Sequence, residues 1–396
     1  MLTDERELRR SLRVFVTSLV SFPPPPGDEK TGDFFEPGRT LGAFVDGELV
    51  GTASSLSGWI NVPGGARVPQ AMVTDVGVLP THTRRGLARA LITHQLEQIA
   101  ARGEPIATLR ATEAVIYERF GYGIASSAAD LEVTVARARF RPGLPAGGPV
   151  RMLDPEQAWA VLPGIYAPLR RPGGIGRSRY WWRQQELFAG RAGGARQVVV
   201  HGPVGAEDGF ARYQPQGQGG SWHDGPEHAI VVNDFVAHTE RARLGLLRYL
   251  LSIDLVSQLK LTTVPVDHGL EKLLLDERAV RTTALADETW LRLIDVPAAL
   301  AARAYQGPGS VVLDVNDELL PANTGRYSVS AGGVERTEAA AQLSLDVAAL
   351  AAVYLGGTRW WQLALAGRVI EREDGALAAA DRLFAADRQP YAGTMF

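Results

Sequence analysis

Hydrophobic positions recur along this chain with two different periods. Leu8, Leu12, Phe15 and Leu19 are spaced for one face of a helix and predict an amphipathic first helix. Leu41 to Val45 and Leu49 to Ser54 flank Asp46-Gly47, a hairpin-turn signature. Val73 to Val78 predicts a strand, and residues 84–101 predict a helix with Leu87, Ala88, Leu91, Ile92, Leu96 and Ile99 on one face. A strand at Ile106 to Arg110 and a short helix at Glu113 to Arg119 follow. Strand and helix alternate in this order in an α/β sandwich.

Residues 141–149 break the pattern with three prolines and three glycines and are expected to be a linker. Farther on, Ile230 to Ala237 predicts a strand and Leu244 to Leu259 a helix. Near residue 296 a strand at Leu291 to Ile294 gives way to Asp295 and Pro297, placed as N-cap and early helical residue of a helix through Arg303. Strands are expected at Val311 to Val315, Gly325 to Ser330 and Ala341 to Leu345. Helices are expected at Val347 to Tyr354 and Ala376 to Ala386. The residues after Pro390, Tyr391 to Phe396, carry no period and are open to being a frayed end.

The 396 residues hold 41 Lys+Arg against 44 Asp+Glu, a net charge of −3, which argues against a general nucleic-acid binder. No apolar run has the length of a membrane span. The arginines before Val14 imitate a signal peptide, but Asp4, Glu5 and Glu7 lie among them and Pro23 to Pro26 occupy the cleavage region, so a cytoplasmic protein is expected. The absence of cysteine from this sequence excludes disulfides, thiolate metal sites and a cysteine nucleophile.

The chemistry concentrates at residues 73–89, where a strand runs through a loop into a helix. The first amides of a helix lack internal partners and carry the positive end of its dipole, so they bind phosphate oxygens. Gly86 and Ala88 leave the backbone uncovered, and Arg84 and Arg85 add charge; a solvated arginine pair is the alternative. Beyond it comes Ile116-Tyr117-Glu118-Arg119-Phe120-Gly121-Tyr122. The succession V-x-V, R-R-G-x-A and Y-x-x-x-G-[FY] resembles the GNAT superfamily of acetyl-CoA-dependent N-acetyltransferases. The resemblance implies that Val76, Gly77 and Val78 pair with the pantetheine arm of acetyl-CoA. It implies that Arg84, Arg85, Gly86, Leu87, Ala88 and Arg89 cradle the pyrophosphate, that Thr112 and Glu113 line the cleft near the acetyl group, and that Tyr117 lies by the sulfur.

Displacing the sequence by 159 positions sets Asp75 on Asp234, Arg84 on Arg243, Gly86 on Gly245, Leu87 on Leu246, Arg89 on Arg248 and Leu91 on Leu250. A second copy of the fold is therefore expected in residues 149–296. Leu244 and Leu247 replace Arg85 and Ala88 there, and Asp276 stands where a tyrosine would fall, which predicts lost cofactor binding.

Two such units and a third resemble the Eis (enhanced intracellular survival) family of bacterial N-acetyltransferases, on the stretches Pro80 to Leu87, Ile116 to Gly123, Val296 to Leu300 and Ala351 to Gly357. The implied plan is α/β (α+β): an active GNAT domain at 1–148, a degenerate one at 149–296 and a sterol-carrier-protein-like α+β domain at 297–396. The family also implies a homohexamer (a trimer of dimers) and a C-terminal carboxylate, here that of Phe396, turned back into the active site as general base, with Tyr117 as general acid. The implied acceptors are aminoglycosides or lysine ε-amines, attacked directly in a ternary complex.

On the acceptor side, Asp28, Glu29, Asp33 and Glu36 around Phe34 and Phe35 suggest an acidic, aromatic pocket for a polycation, or a solvated acidic loop. His223 and His228, with Asp224 and Glu227 between them, lack regular ligand spacing, so no metal site is expected. Trp181-Trp182 and Trp360-Trp361 suit core and interface positions. The rival functions are a CoA-binding scaffold without turnover and a lipid-carrier module.

Overall fold

The predicted first helix forms as α1 (Glu5–Leu19) in the computed structural model, which describes residues 1–20, 34–189, 197–216 and 228–396. Asp4 caps it by accepting from the amides of Arg6 and Glu7. Its buried stripe runs through Ser11 and Val14, while Leu8, Leu12, Phe15 and Leu19 are only half-buried. β1 (Thr40–Val45) and β2 (Glu48–Asn61) meet at Asp46-Gly47, whose φ angles of 50° and 79° give the two left-handed residues a tight hairpin needs. β3 (Arg67–Val78) pairs antiparallel with β2. α2 (Leu87–Ala101), β4 (Ile106–Leu109) and α3 (Ala114–Tyr117) follow, the last continued by a 3-10 turn through Phe120.

β5 (Gly123–Thr134) leads into β6 (Val150–Leu153), α4 (Pro155–Tyr166), α5 (Arg179–Ala189), β7 (Gln197–His201), β8 (Gly209–Gln216) and β9 (His228–Ala237). Then come α6 (Glu240–Leu251), β10 (Val256–Pro265), β11 (Val280–Leu293) and α7 (Val296–Ala302). Asp295 caps α7 through the Ala298 amide, as its place before Pro297 predicts. The chain ends with β12 (Ser310–Asn316), β13 (Gly325–Ser330), β14 (Gly333–Arg336), β15 (Leu343–Asp346), α8 (Val347–Val353), α9 (Trp360–Leu365), β16 (Val369–Glu371) and α10 (Ala376–Leu383).

These elements form two compact units, one of Met1–Ser126, Arg171–Gln184 and Asp287–Phe396, the other of Ser127–Arg170 and Gln185–Ala286. In the first, strands are ordered β1-β2-β3-β4-β11, with a separate sheet β14-β13-β12-β15-β16. One core joins the two sheets: Leu56, Ile60, Met72 and Leu291 cluster with Val311, Leu313, Tyr327 and Trp360. α8 also braces the turn after Tyr117. A Cβ on Gly123 would lie 2.2 Å from the Ala348 carbonyl oxygen and 2.6 Å from the Ala352 amide, both backbone atoms that cannot yield. Gly123→Ala is expected to cost about 2–3 kcal/mol through overpacking, read as a lower urea midpoint with unchanged slope.

In the second unit the strands are ordered β5-β10-β9-β8-β7-β6. The structure corrects the register of the repeat here. Both β3 and β9 carry a bulge near the matched Asp75 and Asp234, so the strand equivalence holds. The helices do not follow. Residues 79–86 separate β3 from α2, but only His238 and Thr239 separate β9 from α6. The second copy lacks the loop that residues 79–86 form in the first. Gly245, matched to Gly86 in sequence, sits inside α6 against His201 and Gly148. Leu244 and Leu247 are buried in the core rather than covering a ligand approach. The helix predicted through Leu259 ends at Leu251, because Val256 to Pro265 is taken up as a strand parallel to β9.

Candidate active site

The end of β3 is shaped by its bulge. Thr52 pairs with Gly77 and Ser54 with Thr74, so an extra residue is accommodated at Asp75, whose φ is 52°. The bulge inverts the alternation: Ala71 and Val73 before it, and Val76 after it, all pack with the α2 side. Desolvation pushes the Asp75 carboxyl up to about 6. β4 pairs with β3 only over Gln70–Met72 and ends at Leu109, so the two strands part where Val76, Gly77 and Val78 stand. Such a parting offers one edge of β3 to an extended ligand as an added strand. Gly77 is small for a second reason: a Cβ there would meet Ser18 Oγ of α1 at 2.2 Å.

Past β3 the loop turns on two left-handed residues, Arg84 at φ 62° and Gly86 at φ 81°. They delay the start of α2 to Leu87, later than hydrophobic spacing alone predicts. Gly86 is the N-cap and supplies no side-chain acceptor, so the amides of Leu87, Ala88 and Arg89 open the helix without a capping side chain. Arg84, Arg85, Gly86, Ala88 and Arg89 are exposed and Leu87 is half-buried. Nothing lies within 4 Å of where a Gly86 Cβ would stand. The loop is thus an open, cationic concavity at a helix N-terminus, fit for a pyrophosphate.

Thr112 and Glu113 are exposed at the exit from β4. Glu113 occupies the N-cap position of α3 without capping it. Tyr117 ends α3, is buried, and packs edge-on against Tyr122 with ring centroids 5.9 Å apart. Burial, reinforced by the Glu113 charge, pushes its phenol up to about 12. Gly121, at φ 83°, makes the turn after Tyr117, and its missing Cβ leaves room for the Arg292 guanidinium.

The last residues do not fray. Ala392 and Thr394 are buried, and Phe396 packs against the core that joins the two sheets. The Tyr391 amide donates to the Pro172 carbonyl, and Arg171 donates to the Gln389 carbonyl. Arg110 donates twice to the Thr394 carbonyl, at 2.6 and 3.1 Å. Arg177 donates to Gly393 O and Thr394 Oγ1, and Trp181 Nε1 donates to Met395 O at 2.6 Å. Glu288 accepts the amides of Ala392 and Gly393. Tail and Tyr117 lie in the same unit.

Sequence patterns did not single out Arg110, Arg177 or Glu288, and marked Asp75 only as a repeat match. Glu288 does leave a trace, as an acid beside Thr289-Trp290-Leu291 in an apolar strand. The predicted acidic pocket is altered. Asp28, Glu29 and Asp33 lie outside the described residues. Glu36 is occupied by Arg39 at 2.9 Å and by the amide and hydroxyl of Ser57, and Phe34 and Phe35 are buried. His223, Asp224 and Glu227 also lie outside the described residues. Among the described residues no group of three or more His, Asp or Glu is arranged for a metal, and no helix is long and apolar enough to cross a membrane.

Comparison with known proteins agrees with this architecture. Residues 2–125 and 173–293 match models of the acetyltransferase (GNAT) domain, and residues 296–393 match a sterol carrier protein domain. An uncharacterized N-acetyltransferase of Streptomyces coelicolor is 38% identical over 375 residues, 89% of this chain and 88% of its own. N-acetyltransferase Eis of Mycobacterium tuberculosis is 36% identical over 360 residues, covering 87% and 85%. The crystal structure of Eis1 from Mycobacterium abscessus superposes with a TM-score of 0.93 at 45% identity, over 100% of this chain and 99% of that one. A GNAT fold implies acetyl-CoA as co-substrate. Two GNAT domains, a sterol carrier domain and near full-length identity to Eis proteins lead to one conclusion: the chain belongs to the Eis family of GNAT N-acetyltransferases.

Proposed function

We propose that this N-acetyltransferase transfers acetyl from acetyl-CoA directly to an amine of a cationic acceptor, an aminoglycoside-like amine or a lysine ε-amine. Acetyl-CoA lies along Val76, Gly77 and Val78, with its pyrophosphate on Arg84 to Arg89 and its acetyl end toward Thr112, Glu113 and Tyr117. Only the first GNAT domain binds it; the second lacks the loop that would hold a pyrophosphate. The observation that carries the reading is the anchored tail: Arg110, Arg177, Trp181 and Glu288 hold residues 393–395 just before Phe396, whose ring packs on the core, and a chain end tethered in this way can present its carboxylate at a defined point.

The amine nitrogen bonds to the thioester carbon, the C–S bond breaks, the ammonium proton leaves to a base and the thiolate receives a proton. The family resemblance gives the base role to the α-carboxylate of Phe396 and the acid role to Tyr117. An acyl-cysteine route is closed by the lack of cysteine. The segments 1–148, 149–296 and 297–396 are the three evolutionary domains of this reading, and the working assembly is a cytoplasmic homohexamer without nucleic-acid partners. The exposed Met395 adds no charge beside Phe396, which favours acceptors with few amines over strongly polycationic aminoglycosides.

The third domain serves chiefly to carry the tail. A cleft of about 410 Å³ on its sheet has a mixed lining, with Asp314, Asp346 and Arg368 beside Val315, Leu345 and Ile370. The decisive assay is release of CoA thiol with a panel of kanamycin-like amines and lysine peptides, free of background from the cysteine-less protein. Turnover with one class supports the proposal. Acetyl-CoA binding without turnover of any amine gives the scaffold reading instead.

A further inference from the structure

A carboxylate buried in an apolar strand must be fully satisfied by donors or it destabilises the fold. The Glu288 side chain is 1% exposed, the first residue of the buried half of β11 that continues through Thr289 and Leu291. Its Oε1 accepts the Gly393 amide at 2.8 Å and Arg110 Nη2 at 3.2 Å. Its Oε2 accepts the Ser126 hydroxyl at 2.8 Å and the Ala392 amide at 3.0 Å. Two donors on each oxygen fill its acceptor capacity, so all of its bonds are spent inside the protein. Arg110 closes the ring by donating to the Thr394 carbonyl.

We propose that Glu288 and Arg110 form a buried clamp that positions the C-terminal tail, with Arg177 and Trp181 as its outer contacts. The clamp grips mostly main chain, the amides of 392 and 393 and the carbonyls of 393, 394 and 395, with one side-chain contact from Arg177 to Thr394 Oγ1. Gly393 makes this grip possible. It sits at φ 62°, and a Cβ would strike the Tyr391 ring at 2.7–2.8 Å. Residues 384–396 contain no helix or strand, so no regular backbone ladder orders them, and these bonds act beside the packing of Ala392 and Phe396 on the core. The consequence for catalysis rests on the Phe396 base role proposed above; the clamp itself does not.

The test is Glu288→Gln in the full chain, which keeps the shape but turns an amide donor toward other donors. Carboxypeptidase release of Phe396, which samples the opened tail, is expected to accelerate at least about tenfold. kcat is expected to fall by about tenfold or more while the acetyl-CoA Kd stays within about twofold. Arg177→Lys, at a half-buried site, is the second variant should Glu288→Gln fail to fold, with release faster by about threefold. Release at the wild-type rate in the folded variants overturns the clamp. Faster release with unchanged kcat upholds the clamp and overturns the Phe396 base role.

Discussion

Tyr117→Phe is expected to lower kcat by about a hundredfold and leave the acetyl-CoA Kd within about twofold, measured by thiol release and calorimetry. The hydroxyl is a single atom in a buried, packed site, so its removal leaves the ring and its edge-on contact with Tyr122 in place. Its elevated pKa changes the role first expected of it. A thiol of pKa ~8.5 is a stronger acid than a phenol near 12, so full proton transfer from Tyr117 to the thiolate is about three-thousandfold uphill. In the proposed reaction Tyr117 would therefore act first as a hydrogen-bond donor to the charge growing on sulfur, with the proton following late or coming from solvent. Its pKa stands above the ordinary phenol value, so the hydroxyl stays protonated through pH 10 and ionises only near 12. The rate then has no alkaline fall due to Tyr117 below about pH 11. An alkaline limb centred near pH 10 that vanishes in Tyr117→Phe contradicts this assignment.

The larger effect belongs to the tail. Deleting Phe396, or extending the chain with a C-terminal tag, is expected to reduce kcat by at least about a hundredfold with little change in acetyl-CoA affinity. A free α-carboxyl of pKa ~3.3–3.7 is a poor base for an ammonium near 10. In the proposed reaction its value would lie in placement: it would orient the amine and stabilise the positive charge that grows on nitrogen during attack, after which the more acidic N–H⁺ can be given up. Deletion moves the carboxylate back to Met395, whose carbonyl is held by Trp181, so the charge is kept but displaced. Extension keeps the backbone path and removes the charge. Full activity in either variant excludes the terminal carboxylate from the reaction.

Local signals along the chain were sufficient for much of the architecture. Asp46-Gly47, Asp295 before Pro297 and the strand Gly325–Ser330 depend on neighbours a few residues away, and all form as predicted. The phosphate loop is legible for the same reason, since the requirement for a left-handed residue at Gly86 and the charge of Arg84 and Arg85 are local properties. Tyr117 was marked by its motif, although Gly121 and Gly123 in that motif answer to packing against Arg292 and α8.

The tertiary structure alone decided the rest. The tail has no periodicity, and its partners Arg110, Arg177 and Glu288 are 284, 216 and 105 positions away from the residues they hold. The repeat was visible as matched residues, but the missing loop before α6 was not, because an ungapped comparison cannot register a deletion between β9 and its helix. Glu36 illustrates the converse, a carboxylate that appears free in sequence and is neutralised in space by Arg39 and Ser57. Legible along the chain are the family and those elements whose caps, turns and periodicity lie within a few residues, all governed by short-range backbone and side-chain chemistry. What only the fold decided is which buried charges meet, because desolvated donors and acceptors are paired by position in space rather than by order in the chain.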